Sequence, residues 1–256
     1  MPDVEIAVIP CLSDNYAVLV HRPDGGGTLL VDAPEEAPIA AELAARGWQL
    51  TDILITHHHH DHVGGLAALK AASGARVLGP AAEASRIAGL DGTLGDGETA
   101  TVAGLAVTAL ATPGHTAGHL SYHLPEIAAV FTGDTLFALG CGRLFEGTPA
   151  DMWASLLRLA ALPPETAVYC GHEYTLSNAR FALGIDPGNA ALVARAAEVE
   201  AARAAGRPTI PSTIGAEIAT NPFLRAGEPA IAAQVGLAGH PAVAVFAEIR
   251  ERKNRG

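Results

Sequence analysis

Cysteine is scarce in this chain: only Cys11, Cys141 and Cys170 occur among 256 residues. An odd and sparse set of thiols does not build the disulfide framework on which small secreted domains depend. We therefore expect a reducing compartment, the cytoplasm, in which each cysteine serves as a small buried residue and not as a nucleophile.

Long apolar runs and basic charge are lacking as well. No apolar stretch reaches the roughly 18 residues that a bilayer-spanning helix needs, and the start of the chain shows no basic region followed by an apolar core. We expect neither a signal peptide nor a membrane partner. Sixteen Lys and Arg residues stand against 27 Asp and Glu residues, a net charge of −11. That balance excludes a large basic surface for nucleic acid, although a small cationic pocket remains compatible with it.

The composition is that of a folded chain of one to two domains, with 49% hydrophobic and 17% charged residues. Short β-rich runs alternate with turns and helices through the first two-thirds, whereas helical patterns prevail from residue 173 onward. A mixed sheet region followed by helices predicts an α/β domain with a helical appendage. We place the two domains at residues 1–172 and 173–256, and we take a monomer as the default.

Histidine, by contrast, is concentrated. Eleven histidines occur, and five of them lie within residues 57–62, in the run T-H-H-H-H-D-H. This run follows a predicted strand over residues 52–56 and precedes a predicted helix over residues 63–73. A loop between a strand and a helix brings several ligands to one point, and imidazole and carboxylate groups suit zinc and other first-row divalent metals.

Within this run, the alternate residues His57 and His59 point to one ion, and Asp61 and His62 to another. An expression tag would sit at a terminus. A low-complexity scavenging tract would lack an ordered strand before it and a helix after it. The run therefore favours a specific metal site over either explanation.

Three later segments each place a histidine or an aspartate just past a predicted strand. They are P-G-H-T around His115, T-G-D-T around Asp134 and C-G-H-E around His172. Each segment alone is an ordinary turn, cap or buried histidine. Their joint occurrence with the histidine run indicates that several loops converge on one metal centre.

The combined pattern T-H-x-H-x-D-H, P-G-H-T, T-G-D-T and G-H resembles the metallo-β-lactamase-fold hydrolases over residues 1–172. The resemblance implies an αββα sandwich, in which two sheets pack face to face with helices outside. It also implies two divalent ions, zinc first and Fe²⁺ or Mn²⁺ as alternatives. The implied ligands are His57, His59 and His115 for the first ion, Asp61, His62 and His172 for the second, and Asp134 as the bridge. His58, His60 and His119 have no ligand counterpart, and we expect them to be supporting or structural.

Further segments resemble glyoxalase II, the hydroxyacylglutathione hydrolases, over nearly the whole chain. They are G-C-G-R-L-F-E-G at residues 140–147, Y-C-G-H-E-Y-T at 169–175, P-S-T-I at 211–214, N-P-F-L-R at 221–225 and R-E-R-K at 250–253. The resemblance implies hydrolysis of S-(2-hydroxyacyl)glutathione thioesters such as S-D-lactoylglutathione to glutathione and D-lactate. This reaction is the second step of methylglyoxal detoxification. A metal-held hydroxide near Asp61 would attack the thioester, so Asp61 and Asp134 are the expected catalytic carboxylates.

The same resemblance implies a helical substrate-binding region after residue 172. Its expected glutathione contacts are Arg143, Phe145, Tyr174, Arg250 and Lys253. Glutathione carries two carboxylates, which call for cations in an otherwise acidic protein. By charge alone, a solvated helix end explains Arg250 and Lys253 better, and only the R-x-x-K register of the resemblance favours a substrate contact. Phe145 stands where many relatives carry Tyr, which removes a hydroxyl contact.

Two other interpretations remain open at this point. The first is another enzyme of the same fold, a persulfide dioxygenase or a different thioester or lactone hydrolase, because a fold does not name a substrate. The second is a non-catalytic metal-binding protein built on the histidine run. The dispersed residues His115, Asp134 and His172 disfavour it, since a scavenging tract gives no reason for them.

Overall fold

The alternating apolar runs of the sequence form fourteen β-strands in the computed structural model, which describes residues 3–255. The strands are β1 (Glu5–Cys11), β2 (Asn15–Arg22), β3 (Gly27–Val31), β4 (Leu50–Leu54), β5 (Arg76–Pro80), β6 (Gly92–Leu94), β7 (Thr99–Val102), β8 (Leu105–Ala111), β9 (Leu120–Leu124), β10 (Ala129–Gly133), β11 (Leu136–Phe137), β12 (Gly140–Cys141), β13 (Ala167–Cys170) and β14 (Ser212–Thr213).

Nine α-helices complete the described part of the chain, and most of them follow the predicted patterns. They are α1 (Glu36–Arg46), α2 (His60–Val63), α3 (Leu66–Ser73), α4 (Pro149–Ala160), α5 (Thr175–Ile185), α6 (Ala190–Ala204), α7 (Ile214–Thr220), α8 (Pro229–Gln234) and α9 (Ala242–Arg255). Helix α4 begins with a reciprocal cap, in which Thr148 and Asp151 each bond the backbone N–H of the other. None of the helices within residues 3–255 has the length and apolar character needed to cross a bilayer.

The prediction of one continuous helix over residues 63–73 is wrong, because α2 and α3 are separate. Between them, the backbone N–H of Gly65 donates to the carbonyl of Ala33 at 2.8 Å. A Cβ at Gly65 would lie 2.6 Å from the backbone nitrogen of Glu36. The helix is therefore interrupted where the chain passes too close to another backbone for any side chain.

Tertiary contacts divide the chain into two units. Unit 1 contains the chain up to Ala111 together with Gly118–Gly133, and unit 2 contains Thr112–Ala117 together with the chain from Asp134 onward. The division into domains at residue 173 remains a prediction. Each unit has its own core and contributes its own set of polar side chains, so each is described by itself.

Unit 1 holds two sheets. The first has the order β1-β2-β3-β4-β5-β6, with antiparallel pairing from β1 to β3 and parallel pairing from β3 to β6. Helices α1 and α3 pack on this sheet, where Ile39 and Leu69 join Leu19, Leu30 and Ile53 in one buried cluster. Each such side chain contributes about 1.5–3 kcal/mol by leaving water. The second sheet runs antiparallel from β7 through β8 and β9 to β10.

Unit 2 is mainly helical. The rings of Phe181, Phe223 and Phe246 follow one another at centroid distances of 6.0 and 5.9 Å, and Trp153 of α4 packs 5.8 Å from Phe246 of α9. Strand β13 pairs with β14, and β11 pairs with β12 in a two-residue hairpin. Strands β11, β12 and β14 and helices α7 and α8 are too short to give a periodic signal, and the sequence did not predict them.

Candidate metal centre

In unit 1, the histidine run follows β4 and brings its predicted ligands together. His57 Nε2 lies 3.1 Å from His59 Nδ1, and the rings of His57 and His62 are 4.1 Å apart. A ligand-type atom of Asp61 and one of His62 lie within 4.8 Å of each other. Two nitrogens on one tetrahedral zinc ion are about 3.3 Å apart at Zn–N lengths near 2.05 Å. The spacing of His57 and His59 therefore fits a shared divalent ion.

Asp32, which the sequence did not single out, orients this run from behind. The residue is buried with φ of 56°, a left-handed conformation that is uncommon for residues other than glycine. The Asp32 carboxylate accepts from the backbone N–H of Thr56 at 2.8 Å and from the Thr56 hydroxyl at 2.9 Å. The same carboxylate lies 2.8 Å from His62 Nδ1. Since a carboxylate only accepts, His62 Nδ1 is the donor and Nε2 is left as the ligand atom.

Thr56 extends the same arrangement to His57. Its hydroxyl gives its proton to Asp32, so it accepts from His57 Nδ1 at 3.0 Å. That hydrogen bond fixes the tautomer of His57 and presents Nε2 as the ligand atom. Hydrogen bonds to the far nitrogen of ligand imidazoles are the usual support of metal sites. His57 therefore presents Nε2 as its candidate ligand atom, as His62 does.

Asn15 is a further contributor that the sequence did not reveal. Its side-chain amide donates to the backbone carbonyl of Asp61 at 2.9 Å and to Asp61 Oδ2 at 3.1 Å. Asp61 Oδ2 in turn lies 3.7 Å from His62 Nε2. The Asp61 side chain is 41% exposed, so this amide is what holds a partly solvated carboxylate in place.

The three histidines without a ligand role behave differently from one another. His58 is tied to the buried Glu83, which accepts both its backbone N–H and its Nδ1 at 2.7 Å and also bonds the N–H of Gly118. His119 is fully buried, with its ring 5.0 Å from that of His57. His60 is exposed at the start of α2. Glu83 thereby fixes the backbone between the two ligand candidates His57 and His59.

In unit 2, the dispersed candidates also meet. Asp134 Oδ2 lies 3.2 Å from His115 Nε2 and 3.3 Å from His172 Nε2, and all three residues are buried. His115 Nδ1 donates to the carbonyl of Arg143 at 2.9 Å, which leaves Nε2 as its ligand atom. A carboxylate oxygen between two such nitrogens is the donor arrangement expected of a carboxylate that ligates an ion.

Gly142, the second glycine of the G-C-G segment, lies beside these residues. A Cβ at this position would lie 1.9 Å from the carbonyl oxygen of Asp134, which is far closer than non-bonded atoms can approach. Its own N–H donates to the carbonyl of Thr135 at 3.1 Å. Only glycine lets the chain pass this close to Asp134 and bring the Arg143 carbonyl to His115.

The predicted substrate contacts in unit 2 lie beside the same side chains. Tyr174 stacks on His172 with ring centroids 4.7 Å apart and planes 5° from parallel. Phe145 is 62% exposed and meets His115 edge-on at 5.2 Å. Both aromatic rings therefore lie directly against histidines of the candidate metal centre.

The cationic candidates occupy different environments. Arg143 is exposed, whereas Arg250 is buried and donates to the Cys141 carbonyl at 2.8 Å. Burial, and after it the positive charges of Arg250 and Arg143, lower the pKa of Lys253. Lys253 also contacts Ser177 and the ring of Phe181. Both arginines thus lie near enough to Lys253 for their charges to act on its ammonium group.

The cysteines do not compete as nucleophiles. All three are free and buried. Burial raises the pKa of Cys141 to about 11 and that of Cys170 to about 12. Burial and the nearby Glu35 raise the pKa of Cys11 to about 11. Thiols with such pKa values are protonated and unreactive near neutral pH.

The α/β fold and the buried His and Asp donors define a member of the Metallo-beta-lactamase superfamily, whose profile matches residues 12–172. A second profile, Hydroxyacylglutathione hydrolase C-terminus, matches residues 173–256. The chain belongs to the hydroxyacylglutathione hydrolase family. A relative of that name from Ruegeria pomeroyi is 57% identical over 251 residues, which cover 98% of each chain.

Solved structures agree with the fold. ETHE1 from Myxococcus xanthus superposes with a TM-score of 0.69 and 27% identity, and the match covers 98% of this chain and 91% of the other. TTHA1623, crystallised in a di-iron-bound form, gives a TM-score of 0.58 and 30% identity over 82% of this chain and 95% of the other. The predicted α/β class and the predicted family are thus confirmed, and the chain binds divalent metal through its His and Asp donors.

Proposed function

We propose that this chain hydrolyses S-(2-hydroxyacyl)glutathione thioesters, such as S-D-lactoylglutathione, to glutathione and a 2-hydroxy acid such as D-lactate. The observation that carries the proposal is the 57% identity, over 98% of both chains, to a protein named hydroxyacylglutathione hydrolase. The match of residues 173–256 to the C-terminal profile of that family supports it from the helical region.

The metal assignment is the second part of the proposal. Two divalent ions, zinc first, would be held by the seven side chains of the family pattern. These are His57, His59, Asp61 and His62 from unit 1, and His115, Asp134 and His172 from unit 2. Support comes from each unit taken separately, since both present imidazole nitrogens whose opposite nitrogen is already hydrogen-bonded. The di-iron form of TTHA1623 supports the count of two for that relative's fold.

When bound, such a pair of ions supplies a water of lowered pKa and a Lewis acid for the thioester carbonyl. The residues of the chain orient the reactants. Asp61, fixed by Asn15, accepts a hydrogen bond from the attacking water and receives its proton. The water oxygen bonds to the carbonyl carbon, the C–S bond breaks, and glutathione leaves as a thiolate.

The substrate is anchored by the remaining candidates. Positive charge for the carboxylates of glutathione comes from Arg143, Arg250 and Lys253. Besides burial, the two arginines help to lower the pKa of Lys253, which supports their action at one subsite. Tyr174 and Phe145 present aromatic surface next to His172 and His115. Part of the Arg250 guanidinium is engaged by the Cys141 carbonyl, so Arg250 also holds the chain that leads to Arg143.

Location and assembly complete the proposal. We place the enzyme in the cytoplasm, which the three buried thiols support because a reducing environment preserves them. A monomer remains our prediction for the oligomeric state.

The test is turnover of S-D-lactoylglutathione by the purified protein, with metal content measured on the same sample. We expect about two metal ions per chain, rapid loss of thioester absorbance, and loss of both on chelation. His60→Gln is the matched control, since His60 is an exposed histidine of the same run and should change neither quantity.

The outcomes separate the alternatives. Turnover that persists after complete metal removal would contradict the mechanism. Two bound ions without turnover of any glutathione thioester would overturn the substrate, and persulfides and lactones would then be the substrates to assay. Metal uptake with no activity on any of these would favour a binding protein.

A further inference from the structure

Glu217 of α7 is a completely buried carboxylate that the sequence analysis did not single out. Its Oε1 accepts from Arg195 Nη2 at 2.5 Å and from the Ser212 hydroxyl. Its Oε2 accepts from the backbone N–H of Leu139 at 2.9 Å and from Asn221 Nδ2 at 3.0 Å. A buried carboxylate with four donors is fixed in place, because any movement leaves charge without a partner.

Through Leu139, Glu217 holds the turn between β11 and β12. Leu139 in this turn has a φ of 58°, the left-handed region that a branched side chain rarely adopts. Asn221 Nδ2 also donates to the carbonyl of Gly140 at 2.9 Å and lies 3.3 Å from that of Phe137. Asn178 Nδ2 donates to the carbonyl of Ala138 at 3.1 Å. The backbone polar groups of the turn are thus bonded by side chains of α5 and of the α7 region.

This turn lies between two groups of the candidate metal centre. Strand β11 begins two residues after Asp134. After β12, the backbone N–H of Gly142 donates to the carbonyl of Thr135. The carbonyl of the following residue, Arg143, accepts from His115 Nδ1. A shift of the turn therefore moves the backbone of Asp134 on one side and the acceptor of His115 on the other.

We propose that Glu217 is a positioning residue, which with Arg195 and Asn221 fixes the turn over residues 137–140 and through it the His115 imidazole and the Asp134 carboxylate. The helical region then has a role in metal binding as well as in substrate binding. The inference rests on the proposed metal-dependent hydrolysis. It also accounts for Ser212 and Asn221, two polar residues of the P-S-T-I and N-P-F-L-R segments to which the reaction assigns no part.

The test variant is Glu217→Gln, which preserves shape but replaces one accepting oxygen by an NH₂ group. That group faces either the Leu139 N–H or the Arg195 guanidinium, both of which are donors. The hydrogen bonds on that side of residue 217 are therefore lost. Metal affinity is measured by competition with a chromophoric chelator, alongside kcat, KM and the thermal midpoint. Loss of a group that orients a ligand weakens metal binding by about 10- to 100-fold. We expect that loss, a lower kcat that excess metal partly restores, and a KM for S-D-lactoylglutathione within about twofold of wild type.

The matched control is Asp186→Asn. Asp186 is another buried carboxylate of unit 2, which accepts from Arg225 Nε at 3.0 Å and from Asn189 Nδ2 at 2.9 Å, neither of which belongs to the turn. We expect it to lower the thermal midpoint while metal affinity stays at the wild-type value. Equal weakening of metal binding in both variants would overturn the proposal, because general loss of stability would then explain it.

A milder variant keeps the proposal falsifiable if Glu217→Gln does not fold. Asn178→Ala removes one donor to the turn, at the Ala138 carbonyl, and should weaken metal binding by a few-fold. Wild-type metal affinity and kcat in Glu217→Gln, or in Asn178→Ala where the first variant is unfolded, would refute the positioning role. If the wild-type chain binds metal but cleaves no glutathione thioester, the proposed substrate fails. The affinity measurements then still decide the role of Glu217.

Discussion

The two units present their candidate metal ligands in contrasting ways. Unit 1 presents four candidates within the six residues 57–62, on one loop after one strand. Unit 2 collects His115, Asp134 and His172 from three separate loops. A local run holds its members close by chain connectivity, whereas a dispersed set stays together only if distant segments are fixed. We expect unit 2 to depend more strongly on supporting contacts far from the ligands.

The supports follow the same contrast. In unit 1, Asp32 accepts from both Thr56 and His62, while Asn15 holds Asp61 and Glu83 holds His58, so every support contacts the run directly. In unit 2, the acceptor of His115 is a backbone carbonyl, held by a turn that Glu217 and Asn221 bond from another helix. Direct contacts to the run in unit 1 and an indirect series of contacts in unit 2 thus serve the same purpose.

The largest effect is expected at Asp134. Asp134→Ala removes the carboxylate that lies between His115 and His172, and it leaves two buried imidazoles beside each other. We expect kcat to fall by about 1,000-fold or more, together with loss of bound metal. Metal analysis and a turnover assay on one preparation measure both. Normal turnover in this variant would refute the two-metal proposal.

A smaller effect is expected at Asp32, and it probes the support in unit 1. Asp32→Asn presents an NH₂ group to Thr56 or to His62, so one of the two contacts becomes unfavourable. Metal affinity should fall by about 10- to 100-fold with a matching loss of kcat. Asp52→Asn is the control, because Asp52 is a buried carboxylate of the same unit that pairs with Arg76. The comparison between the units fails if both variants weaken metal binding equally.

The pH dependence of substrate binding gives a still smaller effect, confined to unit 2. Burial and two neighbouring cations lower the pKa of Lys253, so its charge is lost at a lower pH than in an exposed lysine. Only the protonated ammonium attracts a carboxylate, so KM should rise with pH, by up to about fivefold, as Lys253 deprotonates. In Lys253→Arg the charge persists, and KM should stay flat over that range. A parallel rise in the variant would assign the effect to another group.

The smallest effect is expected from thiol alkylation, which should leave both units untouched. The pKa values of Cys11 and Cys141 are raised to about 11, and that of Cys170 to about 12, so almost no thiolate exists near pH 7.5. Iodoacetamide should leave more than about nine-tenths of the activity, and intact mass should show little adduct. Rapid labelling of one cysteine with parallel inactivation would show that a thiol takes part.

The sequence predicts well what short-range pattern encodes. The strand predicted over residues 52–56 is present as β4, shifted by two residues toward the N-terminus, and the histidine run by itself indicates a metal site. Helices α2 and α3 were predicted as one, because the separation comes from the close approach of Gly65 to Glu36 and not from a local signal.

The residues that orient the ligands were missed for a related reason. Asp32 reaches Thr56 over 24 positions, Asn15 reaches Asp61 over 46, and Glu217 reaches Leu139 over 78. In the sequence each is an isolated polar residue without a motif. Its role exists only once the fold brings the partner near, so periodicity and spacing carry no trace of it.

The ion pair between the partly buried Arg195 and the buried Glu217 has a consequence for how such a chain changes over generations. Loss of Arg195 alone leaves the buried Glu217 charge without its cation, which costs about 3–5 kcal/mol of the 5–15 kcal/mol that typically separates folded from unfolded states. A lineage that replaces Arg195 alone therefore produces poorly folded variants unless Glu217 changes as well. The two positions, 22 apart along the chain, are therefore expected to be inherited as a single character.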